Sequence, residues 1–584
     1  MMNTRQTWQR LLKYAGKYRS YAIWAVVSAM ISVASSLIGP YMIGRSIDHM
    51  IGKGNVEFDE VFRLLTLLGL VYAVGSLFGW LLTYLTNRLA YQTVNDLRGE
   101  MFDQMNVLPL KYHDTHPQGD SISRFVNDMD AVSDGLLQGF STLLTGVVTI
   151  AGAIGLMLYT SPLMTLVVLL SAPAAYYVAR FITMRSQQLF RDQARILGTL
   201  NGYVEEMVGG QKVVQAFHYE ERSYTGFSAK NDELYQVGVK SQFISSLSNP
   251  ATRLVNNVTF SVIALIGSVM VIGNGITVGA LSSFLIYANL FAKPFNEITG
   301  VITQLQSATA SAQRIFQVLD EPAETPDRSA EPDLPQGQGT ISFNHVKFSY
   351  QPDRPLIRDL NLVVPPGTRI AIVGQTGAGK TTLVNLLMRF YDVDAGEIAI
   401  DGININQMSR DSLRRRFGMV LQDTWLFGGT VRDNIAYGNP EASKEDVVAA
   451  AKAANAHEFI KRLPDGYDTE ISGTGDNLSQ GQKQLMTIAR VMLANPPMLI
   501  LDEATSSIDT LTEIRIQQAF QKMMEGRTSF VIAHRLSTIR EADLILYMKD
   551  GDVVESGSHN ELLARGGYYA GLYNSQFTAA NNNG

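Results

Sequence analysis

The chain has 584 residues, which is too long for one hydrophobic core, so several domains are expected. Its net charge of −6 gives no indication of nucleic-acid binding, and no nucleic-acid partner is predicted. The absence of cysteine excludes disulfides and thiolate metal sites, although it leaves the redox compartment open. Long apolar stretches dominate the first half of the chain, whereas the second half has the composition of a soluble α/β domain.

This change in composition predicts where the domains lie. We expect a membrane domain over 1–320, a polar and proline-rich linker over 321–338, an α/β domain over 339–578 and a polar tail over 579–584. No cleavable signal peptide is apparent, because basic residues precede the first apolar run and no small-residue cleavage site follows it closely.

Six apolar stretches are long enough to cross a membrane, since a bilayer core requires about 20 mostly apolar residues per helix. Basic residues cluster before the first stretch, whereas Lys53 is the only basic residue in the loop 48–60 that follows it. This asymmetry predicts a multi-pass protein of the inner (plasma) membrane whose N-terminus and α/β domain are cytoplasmic. The predicted spans are 21–47, 61–86, 133–159, 162–183, 252–273 and 279–305.

The connections on the inner side are much longer than those on the outer side. Segments 87–132 and 184–251 carry charges but few helix breakers, which predicts long helical extensions into the cytoplasm. About 25 extra helical residues would reach on the order of 35 Å beyond the membrane. Potential breakers place the turning tips near 108–120 and 209–222.

Ionisable residues within the spans are few. Lys293 and Glu297 lie four residues apart in the sixth span. Such residues face a bundle interior or a wet cavity by default, so they are potential substrate contacts. The spacing equally allows them to pair with each other on one helix face, and both interpretations stay open.

Residues 374–381 match the phosphate-binding pattern G-x-x-x-x-G-K-[ST] without a gap. A predicted buried strand precedes them and a predicted helix follows, so backbone N–H groups and the helix N-terminus are directed at phosphate oxygens. The side chain of Lys380 adds a positive charge for the β- and γ-phosphates, and the Thr381 hydroxyl can bind Mg²⁺. The predicted phosphate-binding residues are Gly374, Gln375, Thr376, Gly377, Ala378, Gly379, Lys380, Thr381 and Thr382. The chain is therefore predicted to bind a nucleoside triphosphate.

A second predicted element contributes carboxylates to the same chemistry. The apolar run 498–501 reads as a buried strand that ends in Asp502 and Glu503. An acidic residue at such a strand end can hold Mg²⁺, and its neighbour can polarise the attacking water. We therefore predict an ATPase with ATP and Mg²⁺ as its cofactors.

Between these elements stands Leu478-Ser-Gln-Gly-Gln482, and His534 follows in Val531-Ile-Ala-His-Arg. This ordered set is similar to the nucleotide-binding domain of ATP-binding cassette (ABC) transporters. The six spans with two long inner loops resemble the exporter type, in which membrane domain and cassette are fused. The resemblance implies an α-helical six-span transmembrane domain with long cytoplasmic helical extensions, fused to an α/β P-loop ATPase domain of ABC type.

The resemblance also implies roles for individual residues. Tyr350 would stack on the adenine ring, and Gln422 would contact Mg²⁺ and the attacking water. Glu503 would act as the catalytic base, and His534 would fix the γ-phosphate and position the water. Lys380 completes the predicted catalytic set, and Thr381, Gln422 and Asp502 form the predicted metal set. The signature residues Ser479, Gly481 and Gln482 would contact ATP held by an opposite cassette, with Asp509 near the dimer seam.

Because the signature acts across two chains in this family, a dimer of half-transporters is implied. Two residues depart from the family pattern: Gln480 replaces the usual signature glycine, and Gly473 stands where a glutamate is usual. An intact hydrolytic set beside an altered signature resembles one subunit of a heterodimeric exporter. A homodimer that tolerates the glutamine is the alternative.

The resemblance implies ATP-driven export of hydrophobic or amphipathic compounds of the multidrug type, by alternating access. The expected partners are a second half-transporter, the lipid bilayer and a small hydrophobic substrate. A lipid or lipid-conjugate flippase and a peptide exporter are the alternatives. The residues of the spans do not distinguish among these substrates.

Overall fold

A computed structural model describes residues 3–51, 56–327, 339–422, 424–472, 475, 477–502, 508–533 and 536–581. The chain forms two compact units. The first comprises 1–106 with 118–321, and the second comprises 107–117 with 322–584.

The first unit is built from long helices. After α1 (Thr4–Gly16), the helices are α2 (Arg19–Asp48), α3 (Phe58–Val107), α5 (Gln118–Ser123), α6 (Met129–Gln138), α7 (Leu144–Thr160), α8 (Pro162–Gly209), α9 (Gln211–Ala216), α10 (Glu220–Ser246), α11 (Ser248–Ile272) and α12 (Val278–Leu319). Single π-helical turns at Arg124–Asp128 and Gly139–Leu143 join α5, α6 and α7 into one continuous stretch. The short helix α4 (Leu110–Thr115) belongs to the second unit.

The helices cover the stretches in which membrane spans were predicted. Within the described residues, Arg19–Asp48, Phe58–Val107, Gln118–Thr160 and Glu220–Ile272 are long and apolar enough to cross a membrane. The spans predicted at 162–183 and 279–305 fall within α8 and α12, which have 48 and 42 residues. The inner connections are helical as predicted, because α3, α8 and α10 continue well past the apolar stretches.

Helices α2 and α12 pack closely because small residues meet where they cross. A Cβ atom added at Gly279 would lie 1.9 Å from the Gly44 carbonyl oxygen, so only glycine fits there. The Ser283 hydroxyl donates to the Pro40 carbonyl at 2.8 Å, and the Tyr287 hydroxyl donates to the Leu37 carbonyl at 2.8 Å. Both bonds join α12 to the α2 backbone around Pro40, a residue whose missing N–H interrupts the α2 hydrogen-bond ladder.

The ionisable residues of α12 favour one of the two sequence-based interpretations. Lys293 Nζ lies 3.9 Å from Glu297 Oε1, at the i, i+4 spacing expected for a pair on one helix face. Both side chains are exposed to a large extent in the single chain. The contact shows that the two residues pair with each other.

The second unit is an α/β domain centred on a six-stranded sheet. Its twelve strands in the described residues are β1 (Ile341–Phe348), β2 (Ile357–Val364), β3 (Arg369–Gly374), β4 (Ala395–Ile400), β5 (Ile403–Asn404), β6 (Phe417–Val420), β7 (Gly429–Thr430), β8 (Glu470–Ile471), β9 (Met498–Asp502), β10 (Thr528–Ile532), β11 (Leu544–Lys549) and β12 (Asp552–Gly557). The large sheet has the order β12-β11-β3-β10-β9-β6, and a four-stranded sheet has the order β2-β1-β4-β5. All neighbours in the large sheet are parallel except β11 and β12.

The central strands are buried on both faces, as expected for a parallel sheet covered by helices. Alternate residues of β3 enter different hydrophobic clusters: Ile370 and Ile372 join one, and Ala371 and Val373 join the other. The covering helices are α13 (Lys380–Leu387), α14 (Arg410–Arg414), α15 (Val431–Ala436), α16 (Lys444–Ala453), α17 (His457–Ile460), α18 (Gln480–Ala494), α19 (Thr510–Met524), α20 (Leu536–Arg540), α21 (His559–Arg565) and α22 (Tyr568–Asn581).

The segment that follows α12 is held on the second unit by a buried cation. Arg410 is buried, and its Nη1 donates to Asp327 Oδ1 at 2.8 Å and to the Thr325 carbonyl at 2.6 Å. The Arg410 backbone N–H donates to the other Asp327 oxygen at 2.8 Å, and Glu324 Oε1 lies 3.0 Å from Arg410 Nε. Residues 324–327 are therefore part of the cassette surface rather than free linker.

We expect Arg410→Ala to destabilise the second unit. Removing Arg410 deletes charged hydrogen bonds to Asp327 and Thr325, which costs about 1.5–3 kcal/mol. Arg389 stays 3.4 Å from Asp327 and Arg414 stays 3.7 Å from Glu324, so each carboxylate keeps a cation nearby. For a domain of this size the thermal midpoint should fall by roughly 3–12 °C. Thermal unfolding of the full chain in detergent measures it. The matched control is Arg415→Ala, because Arg415 pairs with Asp411 at 2.8 Å on the surface, where the two side chains are 78% and 71% exposed. Equal midpoints for the two variants would contradict the assignment.

Candidate functional site

Three adjacent parallel strands bring the predicted site residues to one edge of the sheet. Ile532 of β10 pairs with Ile372 of β3 on one side and with Asp502 of β9 on the other. The carboxyl ends of these strands therefore meet, and they place the phosphate loop beside Asp502. Glu503, which follows β9, and His534, which follows β10, lie outside the described residues, so their roles stay predictions.

The phosphate loop joins β3 to α13 through glycines with positive φ. The φ angles are +82° at Gly377 and +98° at Gly379, where a side chain would be strained. Gly374, with φ +156°, has a second reason to be glycine, because a Cβ there would lie 2.3 Å from the Met548 carbonyl oxygen. The backbone of neighbouring β11 therefore leaves no room for a side chain at position 374.

The loop holds the ammonium group of Lys380. Its Nζ donates to the carbonyl of Gly374 at 2.9 Å and to the carbonyl of Gln375 at 3.0 Å. Burial lowers the pKa of Lys380, and the nearby carboxylate of Asp502 opposes that shift. Phosphate oxygens would supply a stronger partner than two carbonyls, because charge-assisted hydrogen bonds are about twice as strong as neutral ones.

The donors for a metal ion fit a nucleotide-bound Mg²⁺. The Thr381 hydroxyl lies in the first turn of α13. Asp502 is the last residue of β9, which is separated from β3 by β10 alone. In the described residues, no group of three or more His, Cys, Asp or Glu side chains could hold a metal by itself. Mg²⁺ typically binds through one or two protein oxygens plus substrate phosphates, which matches this sparse donor set.

Gln422 lies at the same sheet edge. It follows β6, whose last residue Val420 pairs with Leu501 of β9, so the chain leaves the sheet next to Asp502. The Gln422 side chain is exposed. This position is compatible with the predicted contact to Mg²⁺ and water.

Tyr350 presents a partly exposed ring, 38% accessible, beside the phosphate-loop helix. Asn385 of α13 donates its Nδ2 hydrogen to Tyr350 Oη at 3.3 Å. The ring also makes edge-to-face contacts with Phe348 and Tyr391, at centroid distances of 4.9 and 5.0 Å. Asn385 and Tyr391 were not anticipated from the sequence, and the only sequence signal was the aromatic pair Phe390-Tyr391 just after α13.

The signature residues have clear local roles at the start of α18. The Ser479 hydroxyl accepts from the Gln482 N–H at 3.3 Å, and Gln482 Oε1 accepts from the Ser479 N–H at 2.9 Å, which forms a capping box. Gly481 is buried, and a Cβ there would lie 2.5 Å from Thr512 Cγ2 of α19. Asp509 caps α19 through the Thr512 N–H at 3.0 Å, and this bond lowers the pKa of Asp509.

The departing residue Gln480 has a partner on its own chain. Its Nε2 donates to the Thr424 hydroxyl at 3.3 Å, two residues beyond Gln422. The contact links the start of the signature helix to the segment that follows β6. Gly473, the other departure from the family pattern, lies outside the described residues.

Comparison with protein families agrees with this geometry. Residues 22–295 match the ABC transporter transmembrane region, and residues 357–506 match the ABC transporter family of ATPase domains. The structure is similar to that of a bacterial Atm1-family ABC exporter with ATP bound, with a TM-score of 0.76 and 31% identity over 96% of this chain and 98% of that one. These matches confirm the predicted fold class: a helical transmembrane domain fused to an ABC-type ATPase domain.

Two curated relatives indicate the range of activities near this sequence. A fatty acid ABC transporter ATP-binding/permease protein of Mycobacterium bovis is 46% identical over 89% of this chain and 82% of its own length. A putative multidrug export ATP-binding/permease protein of Bacillus subtilis is 33% identical over 98% of this chain and 99% of its own length. Both contain a membrane part and an ATPase part in one chain, as this protein does.

We expect Lys380→Met to weaken ATP binding. The substitution removes the charged donor that the loop directs at phosphate, and hydrogen bonds to charged groups contribute about 1.5–3 kcal/mol, or roughly 10-fold to 100-fold in affinity. Calorimetric titration of the full chain with ATP measures the change. Lys461→Met serves as the control because Lys461 is exposed and lies in a different segment, after α17. Equal ATP affinity for both variants would show that Lys380 does not contact the phosphates.

Proposed function

This chain belongs to the ABC transporter family, and from that premise we propose that it is one half of an exporter for hydrophobic or amphipathic compounds. ATP hydrolysis in this family is coupled to transport. The observation that carries the proposal is the fusion, in one chain, of long apolar helices with a sheet edge that gathers the phosphate loop and Asp502. Transport would take place across the inner membrane by alternating access, with the ATPase domain in the cytoplasm.

We assign the chemistry to residues around the phosphate loop. Lys380 and the loop N–H groups would bind the β- and γ-phosphates, and Tyr350 would stack on the base. Thr381, Asp502 and Gln422 would hold Mg²⁺, which supplies charge neutralisation at the transferred phosphoryl group. Glu503 would accept the proton of the attacking water, and His534 would orient that water against the γ-phosphate.

Exporters of this family work as dimers, and the signature residues give this chain a surface for that purpose. The first N–H groups of α18, beside Ser479, have no intrahelical partners of their own, so this end of a 15-residue helix attracts anions. We propose that it contacts ATP bound by the partner chain. The phosphate loop of this chain would in return receive the signature of the partner.

We favour a heterodimer over a homodimer because of Gln480. Where the family usually has a glycine without a side chain, Gln480 adds an amide side chain next to Ser479. This side chain adds bulk where a phosphate of the partner's ATP would approach. The hydrogen bond to Thr424 holds that side chain on its own cassette. In a homodimer both sites would carry this obstruction, whereas in a heterodimer the partner would supply an unobstructed signature to this chain's ATP.

The purified chain alone should therefore hydrolyse ATP slowly. Gln480→Gly should raise that rate about tenfold or more, because it removes bulk at a site where a misplacement of the reacting groups by about 1 Å can cost about 100-fold. Steady-state ATPase activity in nanodiscs, with and without a co-purified partner, measures both effects. Thr424→Val is the control, since it removes the hydroxyl that Gln480 contacts but keeps the glutamine itself, and it should not raise the rate. Full activity of the chain alone, abolished by Glu503→Gln, would contradict the heterodimer.

Lipid or fatty-acid translocation is the second candidate function. It is favoured by the relative of 46% identity that is described as a fatty acid transporter. Multidrug export is favoured by the relative of 33% identity described as a putative multidrug exporter. Both substrate classes are amphipathic, so both fit apolar helices that contain few ionisable residues.

Substrate-stimulated ATPase activity distinguishes the substrate classes. If the proposal is correct, long-chain fatty acids or hydrophobic organic cations should stimulate turnover several-fold at micromolar concentration, whereas hydrophilic peptides should not. Stimulation by fatty acids alone would select the lipid candidate. Stimulation by peptides alone would overturn export of amphipathic small molecules, and Lys380→Met provides the background rate for every compound.

A further inference from the structure

A groove in the second unit lies between three helices, at the end of α18 that is remote from the signature residues. Its apolar lining comes from Ala449, Ala450 and Ala453 of α16, Met492 in the last turn of α18 and Met523 of α19. Its volume is about 380 Å³, and small-molecule sites typically occupy about 300–1,000 Å³. Because the alanine side chains are short, the groove has room for an alkyl chain.

Two cations line the same groove. They are Lys522 of α19 and Arg527, which lies between α19 and β10. Arg527 Nη2 donates to the side-chain oxygen of Asn495 at 2.7 Å, whereas Arg527 Nη1 is buried and has no hydrogen-bond partner among the described residues. Burial lowers the pKa of Arg527, and no neighbouring carboxylate opposes that shift. Within the part of the chain that the structure describes, neither cation is paired with an acidic residue. The groove therefore contains a partly buried guanidinium whose charge the chain does not neutralise.

One carboxylate also lines the groove, but it is engaged in capping α16. Asp446 accepts from the Ser443 hydroxyl at 2.6 Å and from the Ser443 N–H at 3.1 Å, and these bonds lower the pKa of Asp446. Asp446 therefore stays ionised near neutral pH. Two cations against one carboxylate leave the lining with a net charge of +1. This charge matches a ligand with a single negative charge better than it matches a polyphosphate.

We propose that this groove binds a medium-chain alkyl carboxylate. The carboxylate would accept hydrogen bonds from Arg527 and Lys522, and the alkyl chain would lie along the alanines of α16. Pairing the guanidinium with an anion offsets the cost of burying its charge, and charge-assisted hydrogen bonds are about twice as strong as neutral ones. The site is separate from the signature, because Met492 and Ser479 lie on the order of 20 Å apart along α18.

Calorimetric titration of sodium octanoate into the full chain in nanodiscs tests the assignment, with the heat of empty nanodiscs subtracted. Lys522→Met and Arg527→Met should each weaken octanoate binding about tenfold or more, because each removes a charge-assisted hydrogen bond. Butanoate should bind about tenfold more weakly than octanoate, since it buries fewer methylene groups. Octanol lacks the charge and inorganic phosphate lacks the alkyl chain, so both should bind more weakly than octanoate.

Two control variants separate the groove from other sites. Asn495→Gly removes the hydrogen bond to Arg527 but keeps both cations, and glycine tolerates the positive φ of 48° at this position. It should leave octanoate affinity unchanged. Lys380→Met should also leave it unchanged, because the phosphate loop does not line the groove. Heat that persists when Lys522 and Arg527 are both replaced reports octanoate bound by the membrane unit, as the function proposed above predicts.

A photoreactive octanoate that carries a diazirine locates the ligand directly. Its crosslinks should map to 449–453 or 492–493 and should disappear with excess octanoate. Crosslinks confined to the membrane unit, or equal octanoate affinity in the unaltered chain and in both methionine variants, would overturn the site. Equal binding of octanol or of inorganic phosphate would overturn the ligand class. A loss in Asn495→Gly as large as that in Arg527→Met would show that Arg527 is structural. None of these failures would affect the proposed transport function.

Discussion

The parallel pairing of β3, β10 and β9 is the constraint on which the site depends. In-register pairing of Ile532 with Ile372 and with Asp502 requires all three strands to end at one edge. The turns at that edge then supply the residues with which this chain would bind the phosphates of its own nucleotide. The glycines of the first turn meet this requirement, because Gly374 passes so close to Met548 that any side chain would collide with the backbone of β11.

Electrostatics at this edge favours an anion over an empty loop. The buried ammonium of Lys380 is held by two carbonyl oxygens, which only partly replace water as partners of a cation. Asp502 lies near enough to favour the charged form of the lysine. A triphosphate with Mg²⁺ would satisfy both groups at once, since the phosphates pair with the lysine and the metal pairs with the carboxylate.

A second group of polar contacts holds the segments 107–117 and 324–327 on the second unit. Arg410 binds residues 324–327, and Glu324 in turn binds Val107 at the start of the tip. The tip therefore rests on the same surface as the segment that follows α12.

Patterns along the chain predicted much of this molecule. Each of these patterns reflects a local constraint. The apolar stretches reflect the length needed to cross a membrane, the scarcity of breakers in the inner segments reflects helical hydrogen bonding, and the glycine-lysine motif reflects the φ angles of the loop. Those constraints act within a few residues, so they can be recognised in sequence.

The contacts that were missed are non-local. Tyr391 and Asp114 are 277 residues apart in sequence, and Gln480 and Thr424 are 56 apart. Composition could not show that 107–117 packs with the cassette, because that grouping depends on side chains from segments on either side of four predicted membrane spans. The reason for glycine at position 481 is likewise the approach of Thr512 from the next helix.

The central claim is that ATP consumed at this sheet edge moves amphipathic compounds across a membrane. Its most direct test is the uptake of a labelled long-chain fatty acid and a labelled hydrophobic cation into inside-out vesicles that contain the chain with its partner. Accumulation of at least one compound against its gradient should require ATP and should disappear in Lys380→Met. Robust ATP hydrolysis with no ATP-dependent uptake of either compound would contradict the account.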